Sequence, residues 1–425
     1  MRTGPFTSAI RRLSSSATRV GRAVQDRTLG RWYYARLPLD PSLVAYTSGW
    51  HRAPRGNPLA VFEAQQRLAP EFRAVWIVRA EDEHLVPAGV THVRPRTLAA
   101  LKVEATARAI IDDSSPYWSV RAPRGQVYVQ THHGTALKYM GADRTYSGDC
   151  PANETITTMH RRCQRWTYSL STSEYLTEVW QRAYACDATM LATGFPRNDR
   201  LLSATDNDRA QARARLGLGE DDVAVLYMPT WRDRAGVREQ GLDVEAVAAA
   251  LPAHLKLLVR DHYYHDHTRR DLASDKVTDV SEGWQVEDLY LASDALVTDY
   301  SSAMFDYCLL DRPIVLLCDD WDDYRQSRGA YFDITADAPG QVVMTADALV
   351  ESLDSGTFAA RQYAQRRASF RERFATYEGG TAAEAIVRIA LLGESPGPWI
   401  APPPTATHPA GWTTHPPVRP DSTDH

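Results

Sequence analysis

From Leu43 onward, short apolar runs alternate with helix-compatible stretches; the alternation breaks off once, near Asp199, and then starts again. Runs of this kind are too short for buried helices, and they predict strands of a largely parallel sheet covered by helices on both faces. The first series places strands around Val44 and over 74–78, 109–111 and 127–130. Residues 57–62 read as a helix start, with Asn57 as cap and Pro58 at the first helical position. A helical stretch follows Arg161, then a strand over 167–170, then a helix opened by Ser173. A charged helix over 206–216, closed by Gly217 and Gly219, separates the two series. The second series places strands over 224–228, 255–259, 295–298 and 313–317, and helices over 244–251 and 286–292. Helices over 359–374 and 382–392 follow, and from Ser395 the chain becomes Pro-rich.

The expected organisation is a basic leader (1–34), an N-terminal α/β domain (35–199), a C-terminal α/β domain with closing helices (200–392) and a disordered Pro-rich tail (393–425). In all, 425 residues at 44% hydrophobic content fill two such cores. Ligands of open α/β sheets sit at the carboxyl ends of strands, so two doubly wound domains facing each other bind in the cleft between them.

A net charge of −5 gives no reason to expect a nucleic-acid partner. Basic charge gathers at the amino terminus, where Arg2, Arg11, Arg12, Arg19, Arg22, Arg27 and Arg31 stand among serines. Two readings stay open there: a disordered leader, or a short amphipathic helix lying on anionic lipid. Five cysteines without a CxxC pair or a zinc-type spacing indicate a reducing cytoplasm and no metal site. No stretch is apolar for long enough to span a membrane.

Five motifs carry chemistry, each after a predicted strand or at the junction. His133 in Gln130-Thr131-His132-His133-Gly134-Thr135-Ala136-Leu137-Lys138 stands where a base takes a proton from an alcohol, and Gly134 lets backbone approach a ligand. Gly194-Phe195-Pro196-Arg197-Asn198-Asp199 puts a guanidinium at the junction, suited to a phosphate. Pro229-Thr230-Trp231-Arg232-Asp233 ends a strand with a hydroxyl, a ring and a cation, and Arg260-Asp261-His262 ends the next. Asp299-Tyr300-Ser301-Ser302 enters a helix whose free N–H groups attract anions, with Asp306 one turn on as an acceptor for a hydroxyl. Taken singly, each is equally a turn, a cap or a packed core residue.

In order, these motifs resemble the CDP-glycerol glycerophosphotransferase family, together with Asp311-Arg312-Pro313 and Arg328-Gly329-Ala330-Tyr331-Phe332-Asp333. The resemblance covers roughly residues 45 to 390 in unbroken order. It implies a GT-B fold of two Rossmann-like domains, the first on the acceptor side and the second holding the donor, CDP-glycerol, without a tightly bound cofactor. It implies His133 and His262 as catalytic residues. Gly134, Thr135, Ala136, Leu137, Arg197, Pro229, Thr230, Arg260, Asp261, Ser301, Ser302 and Asp306 are the implied substrate-binding set.

The implied reaction passes glycerol phosphate to a glycerol-phosphate or lipid-linked acceptor with release of CMP, in teichoic-acid or capsule polymer synthesis at the inner face of the membrane. His132 departs from the family's usual Trp, Ala136 from its usual Pro, and Asp261-His262-Tyr263-Tyr264 from its usual His-Pro ending, which leaves the exact substrate open. The competing readings are a CDP-ribitol transferase, a sugar-nucleotide glycosyltransferase of the same fold, and a non-catalytic nucleotide-binding or membrane scaffold.

Overall fold

The computed structural model describes residues 36–114, 124–148, 155–185, 187–230, 242–260 and 275–403. The basic leader, Trp231, Arg232, Asp233, Asp261, His262, His265, His267 and the chain from 404 onward lie outside the described residues.

Two parallel sheets form the framework. The first contains β1 (Asp40–Thr47), β2 (Arg73–Ile77), β3 (Thr91–Val93), β4 (Ala107–Asp112), β5 (Val127–Gln130), β6 (Tyr168–Leu170) and β7 (Thr189–Leu191), in the spatial order β3-β2-β1-β4-β5-β6-β7. The second contains β8 (Val223–Met228), β9 (Leu255–Val259), β10 (Val277–Asp279), β11 (Ala295–Thr298), β12 (Ile314–Leu317) and β13 (Gln341–Val343), in the order β10-β9-β8-β11-β12-β13. Central strands are apolar on both faces, as Val44, Ala45 and Tyr46 of β1 and Leu296 and Val297 of β11 show by being fully or almost fully buried. Strand order reverses between β1 and β4 and again between β8 and β11. Those two switch points open crevices at the carboxyl ends of the strands, where the chemical motifs lie.

The expected strands and most helices are present, and the structure adds β3, β7, β10 and β13. These are three-residue strands, too short for an alternation to register. Two expectations are corrected. Asn57 does not cap its helix: the helix Gly56–Leu68 begins after Arg55 with no side-chain cap. The Asn57 amide instead donates to the carbonyls of Thr131 (2.9 Å) and His132 (2.8 Å) and accepts from the Arg197 N–H (3.1 Å). A buried side-chain amide satisfies more backbone groups as a clamp between three loops than as a cap.

The second correction concerns the tail, which does not begin at 393. Ala192 N–H donates to the Trp399 carbonyl (2.7 Å) and Ala401 N–H to the Met190 carbonyl (2.9 Å), so this stretch pairs with β7 in an antiparallel bridge. Its Pro-rich composition hid a Trp-Ile-Ala segment with backbone groups free to pair.

The helix Ala382–Ala390 returns from the second lobe to pack against Gly56–Leu68 in the first. Its opening N–H groups, at Ala382 and Ala383, donate across the molecule to the Asp199 carboxylate (2.9 and 2.8 Å). No helix among the described residues is long and apolar enough to cross a membrane.

Candidate active site

Three loops at the carboxyl edge of the first sheet meet around His133. The imidazole Nδ1 lies 3.0 Å from the Asp113 carbonyl just beyond β4. A carbonyl only accepts, so Nδ1 carries the proton, and the lone pair is left on Nε2. Part of the ring is open to the cleft, yet the surrounding walls withdraw it from bulk water, and this desolvation is the main cause that holds its pKa below the ordinary imidazole value. Arg197, Lys138 and Arg55 push the same way, and the bond to Asp113 opposes them. Near neutral pH the balance for His133 therefore favours an uncharged imidazole whose lone pair is on Nε2.

Its neighbour faces the other way. His132 is buried at a φ of 53°, stacks on Trp180 (centroids 4.3 Å apart) and pairs through Nε2 with the Ser169 hydroxyl (2.8 Å). Burial holds its pKa well below the ordinary value. The departure from Trp at this position thus affects the interior of the first lobe and not the acceptor. Thr135, Ala136 and Leu137 also turn inward: Thr135 pairs with Thr172 (3.2 Å), and Ala136 and Leu137 join the core.

Gly134 is one of the places where the lobes touch. A Cβ built on it would stand 2.6 Å from Oγ and 2.8 Å from Cβ of Ser302, so only glycine permits this approach. Ser301 and Ser302 precede the short helix Ala303–Tyr307 as expected, and the Ala303 N–H donates to the Ser301 hydroxyl (3.3 Å).

Arg197 and Asp306 meet each other. The Arg197 guanidinium donates to the His133 carbonyl (2.9 Å) and to one Asp306 oxygen (2.5 Å), while Asn198 donates to the other (3.1 Å). Burial would lower the Arg197 pKa, but Asp306, Tyr290 and Glu287 outweigh it, so the guanidinium stays charged. In this state Asp306 is not the waiting acceptor for a substrate hydroxyl that its place in the sequence suggests. Through Arg197 it ties the His133 loop to the second lobe.

On the opposite wall, the Thr230 N–H and hydroxyl both donate to Asp299 (2.8 and 2.6 Å). Pro229 sits half-buried beside it at the end of β8. Arg260 donates to the Trp284 carbonyl (3.2 Å); its pKa is lowered by burial and by Arg55, against the pull of Tyr290 and Glu287. His133, Gly134, Arg197, Ser302 and Asp306 thus come together directly, with Arg260 within electrostatic reach through Arg55 and Glu287. Asp261 and His262 lie outside the described residues. No group of His, Cys, Asp and Glu among the described residues is arranged to hold a metal ion.

Several participants escaped the sequence reading. Asn57 was read as a cap. Asp113 had a signal, an Asp-Asp-Ser run at a strand end. Arg55 and Glu287 had none, because only tertiary packing brings them to the site.

The comparisons agree with this geometry. The chain matches the family described as CDP-Glycerol:Poly(glycerophosphate) glycerophosphotransferase over residues 32–392. It is 33% identical over 367 residues to a teichoic acid glycerol-phosphate transferase of Staphylococcus aureus, covering 83% of this chain and 93% of that one. It is 30% identical over 377 residues to a teichoic acid poly(glycerol phosphate) polymerase of Bacillus spizizenii, covering 84% and 93%. The solved structure of the wall teichoic acid polymerase TagF superposes with a TM-score of 0.80 at 27% identity, covering 91% of this chain and 97% of that chain. A lobe-for-lobe match of this extent, together with the family match across nearly all of both sheets, establishes the GT-B-like architecture, and the chain belongs to the CDP-glycerol:poly(glycerophosphate) glycerophosphotransferase family.

Proposed function

We propose that this enzyme transfers glycerol phosphate from CDP-glycerol to a hydroxyl of a glycerol-phosphate or lipid-linked acceptor, with His133 as the base. The observation that carries the proposal is the His133 tautomer: Nδ1 is engaged by the Asp113 carbonyl, which leaves the lone pair on Nε2 of an exposed ring, and the adjoining Gly134 lies against Ser302 of the second lobe. The acceptor O–H gives its proton to Nε2 as its oxygen attacks the β-phosphorus. A new O–P bond forms, the P–O bond to CMP breaks, and CMP departs with the electron pair. Such a transfer asks the protein mainly for alignment and for positive charge near the phosphates. Arg260 and the N–H groups behind Ser301 and Ser302 supply that charge, with His262 as the second catalytic residue on the donor side.

The Arg-rich leader fits work on a lipid-linked acceptor, since basic segments are drawn to the anionic inner face of a membrane. The test is CMP release from CDP-glycerol with a short poly(glycerol phosphate) primer, alongside CDP-ribitol and a sugar nucleotide. His133→Ala is expected to lose about 10²- to 10⁴-fold in kcat, the usual contribution of a general base, with CDP-glycerol binding retained. Near-full activity in that variant refutes the base assignment, and turnover of the sugar nucleotide alone refutes the reaction.

A further inference from the structure

The turn after β1 holds its backbone in an unusual way. Gly49, Trp50 and His51 follow one another at φ of 52°, 57° and 69°, and among the described residues no other three consecutive positions share the left-handed region. Glycine enters that region freely, whereas a large L side chain is disfavoured there. Neighbouring loops hold the turn. The Gly49 N–H donates to the Asp113 carboxylate (2.7 Å), the Trp50 N–H to the Ser114 hydroxyl (2.9 Å), and the Arg79 N–H to the His51 carbonyl (2.8 Å). The Arg55 guanidinium lies so close over Gly49 that a Cβ there would collide with it.

All this holds one ring in the cleft. His51 turns inward to Thr47 (2.9 Å), but the Trp50 indole remains 44% exposed, with its centroid 6.0 Å from that of His133. Asp113 serves both residues, its carboxylate fixing the Trp50 turn and its carbonyl fixing the His133 ring. The indole is therefore positioned relative to the basic nitrogen through a single residue. An exposed aromatic held in a disfavoured backbone conformation beside a reactive group is the pattern of a ligand clamp.

We propose that Trp50 is the acceptor platform of this transferase, its indole face receiving the carbon chain of a polyol phosphate whose terminal hydroxyl meets His133 Nε2. The inference rests on the transfer reading above. The occupant follows from the ring's surroundings. Trp50 stands in the turn after β1 of the first lobe, beside the His133 loop, whereas the motifs that the resemblance assigns to the donor follow β8, β9 and β11 of the second lobe. Arg55 beside it brings positive charge between His133 and Arg260, both of which sense it, and this suits an acceptor that is itself a phosphate ester. C–H groups of an alkyl chain bearing oxygens pack well on an indole face, which also excludes water from the attacking oxygen.

The test compares wild type with Trp50→Asn and Trp50→Phe in two binding titrations, one with a short poly(glycerol phosphate) primer and one with CDP-glycerol, followed by steady-state kinetics. Asn adopts the left-handed conformation readily, so Trp50→Asn removes the ring without straining the turn and melts no lower than wild type. It is expected to weaken primer binding and raise the primer KM by about tenfold or more, leaving CDP-glycerol affinity within about twofold. Trp50→Phe recovers most of the loss. Unchanged primer binding in Trp50→Asn, or an equal loss for primer and donor, overturns the proposal. Wild-type protein that binds primer but releases no CMP refutes the transfer reading instead, and the primer titrations still decide the role of Trp50.

Discussion

Glu378 offers a direct measurement of how the lobes are joined. It precedes the helix Ala382–Ala390, and its buried carboxyl accepts from the Asn198 amide (2.8 Å) and the Phe195 N–H (3.2 Å), both in the turn that carries Arg197. Burial pushes its pKa up to about 8; Asp306 and Asp199 add to the rise, and the bonds from Asn198 and Phe195 oppose it. An unfolded chain releases this proton near pH 4.5, the ordinary value. Between about pH 4.5 and 8 the native state thus holds a proton that the unfolded state has lost, so stability falls as pH rises through that window and levels off above it. The separation corresponds to about 5 kcal/mol at most, comparable with the lower range of whole-protein stabilities. Glu378→Gln keeps an acceptor oxygen for Asn198 and Phe195 and cannot ionise. Urea unfolding followed by tryptophan fluorescence is expected to show wild type and variant within about 1 kcal/mol at pH 5, with the variant ahead by a few kcal/mol at pH 9. Parallel curves for the two proteins from pH 5 to 9, or a less stable variant at pH 9, refute the reasoning.

Two further outcomes follow from the site. With His133 as the proposed neutral base and its pKa held below the ordinary 6.5, kcat/KM should rise with pH along a limb centred below 6.5 and be flat across neutrality; a limb centred above 6.5 contradicts the environment described for it. Gly134→Ala places a methyl against Ser302 and pries the lobes apart, with an expected loss of about 10²-fold in kcat for a displacement near 1 Å. Adding Ser302→Gly to that variant should restore much of the rate, and no recovery in the double variant counts against the contact.

Much of the architecture was legible because apolar runs buried on both faces leave a plain signal. The strand at 255–259 and the helix at 286–292 coincide with the observed elements, and Ser173 opens its helix by accepting from the Leu176 N–H. Three-residue edge strands such as β3 and β13 leave no such trace. In the site, His133, Gly134 and Ser302 were readable because each follows a strand, where a doubly wound fold collects its ligands. The partnership of Arg197 with Asp306 was not readable, since it joins residues 109 positions apart. Asn57 was misread for a related reason: a residue in the position of a cap was drawn into a tertiary clamp by backbone groups no local pattern displays.

The return of the chain's last elements to the first sheet bears on how the protein matures during synthesis. When the ribosome has delivered residues up to Asp199, the face of Gly56–Leu68 that Ala382–Ala390 will cover is still bare, the outer edge of β7 still lacks its bridge to Ile400, and the Phe195 N–H still lacks Glu378. The lobe that begins first is therefore completed last. Its nascent form carries exposed apolar surface and an open strand edge for as long as the second lobe takes to emerge, the interval in which such intermediates are most prone to associate. The helix that carries Asn57, the clamp between the His133 loop and the Arg197 turn, gains its cover only when Ala382–Ala390 docks. Assembly of the first lobe is in this way coupled to the emergence of residues 378–401.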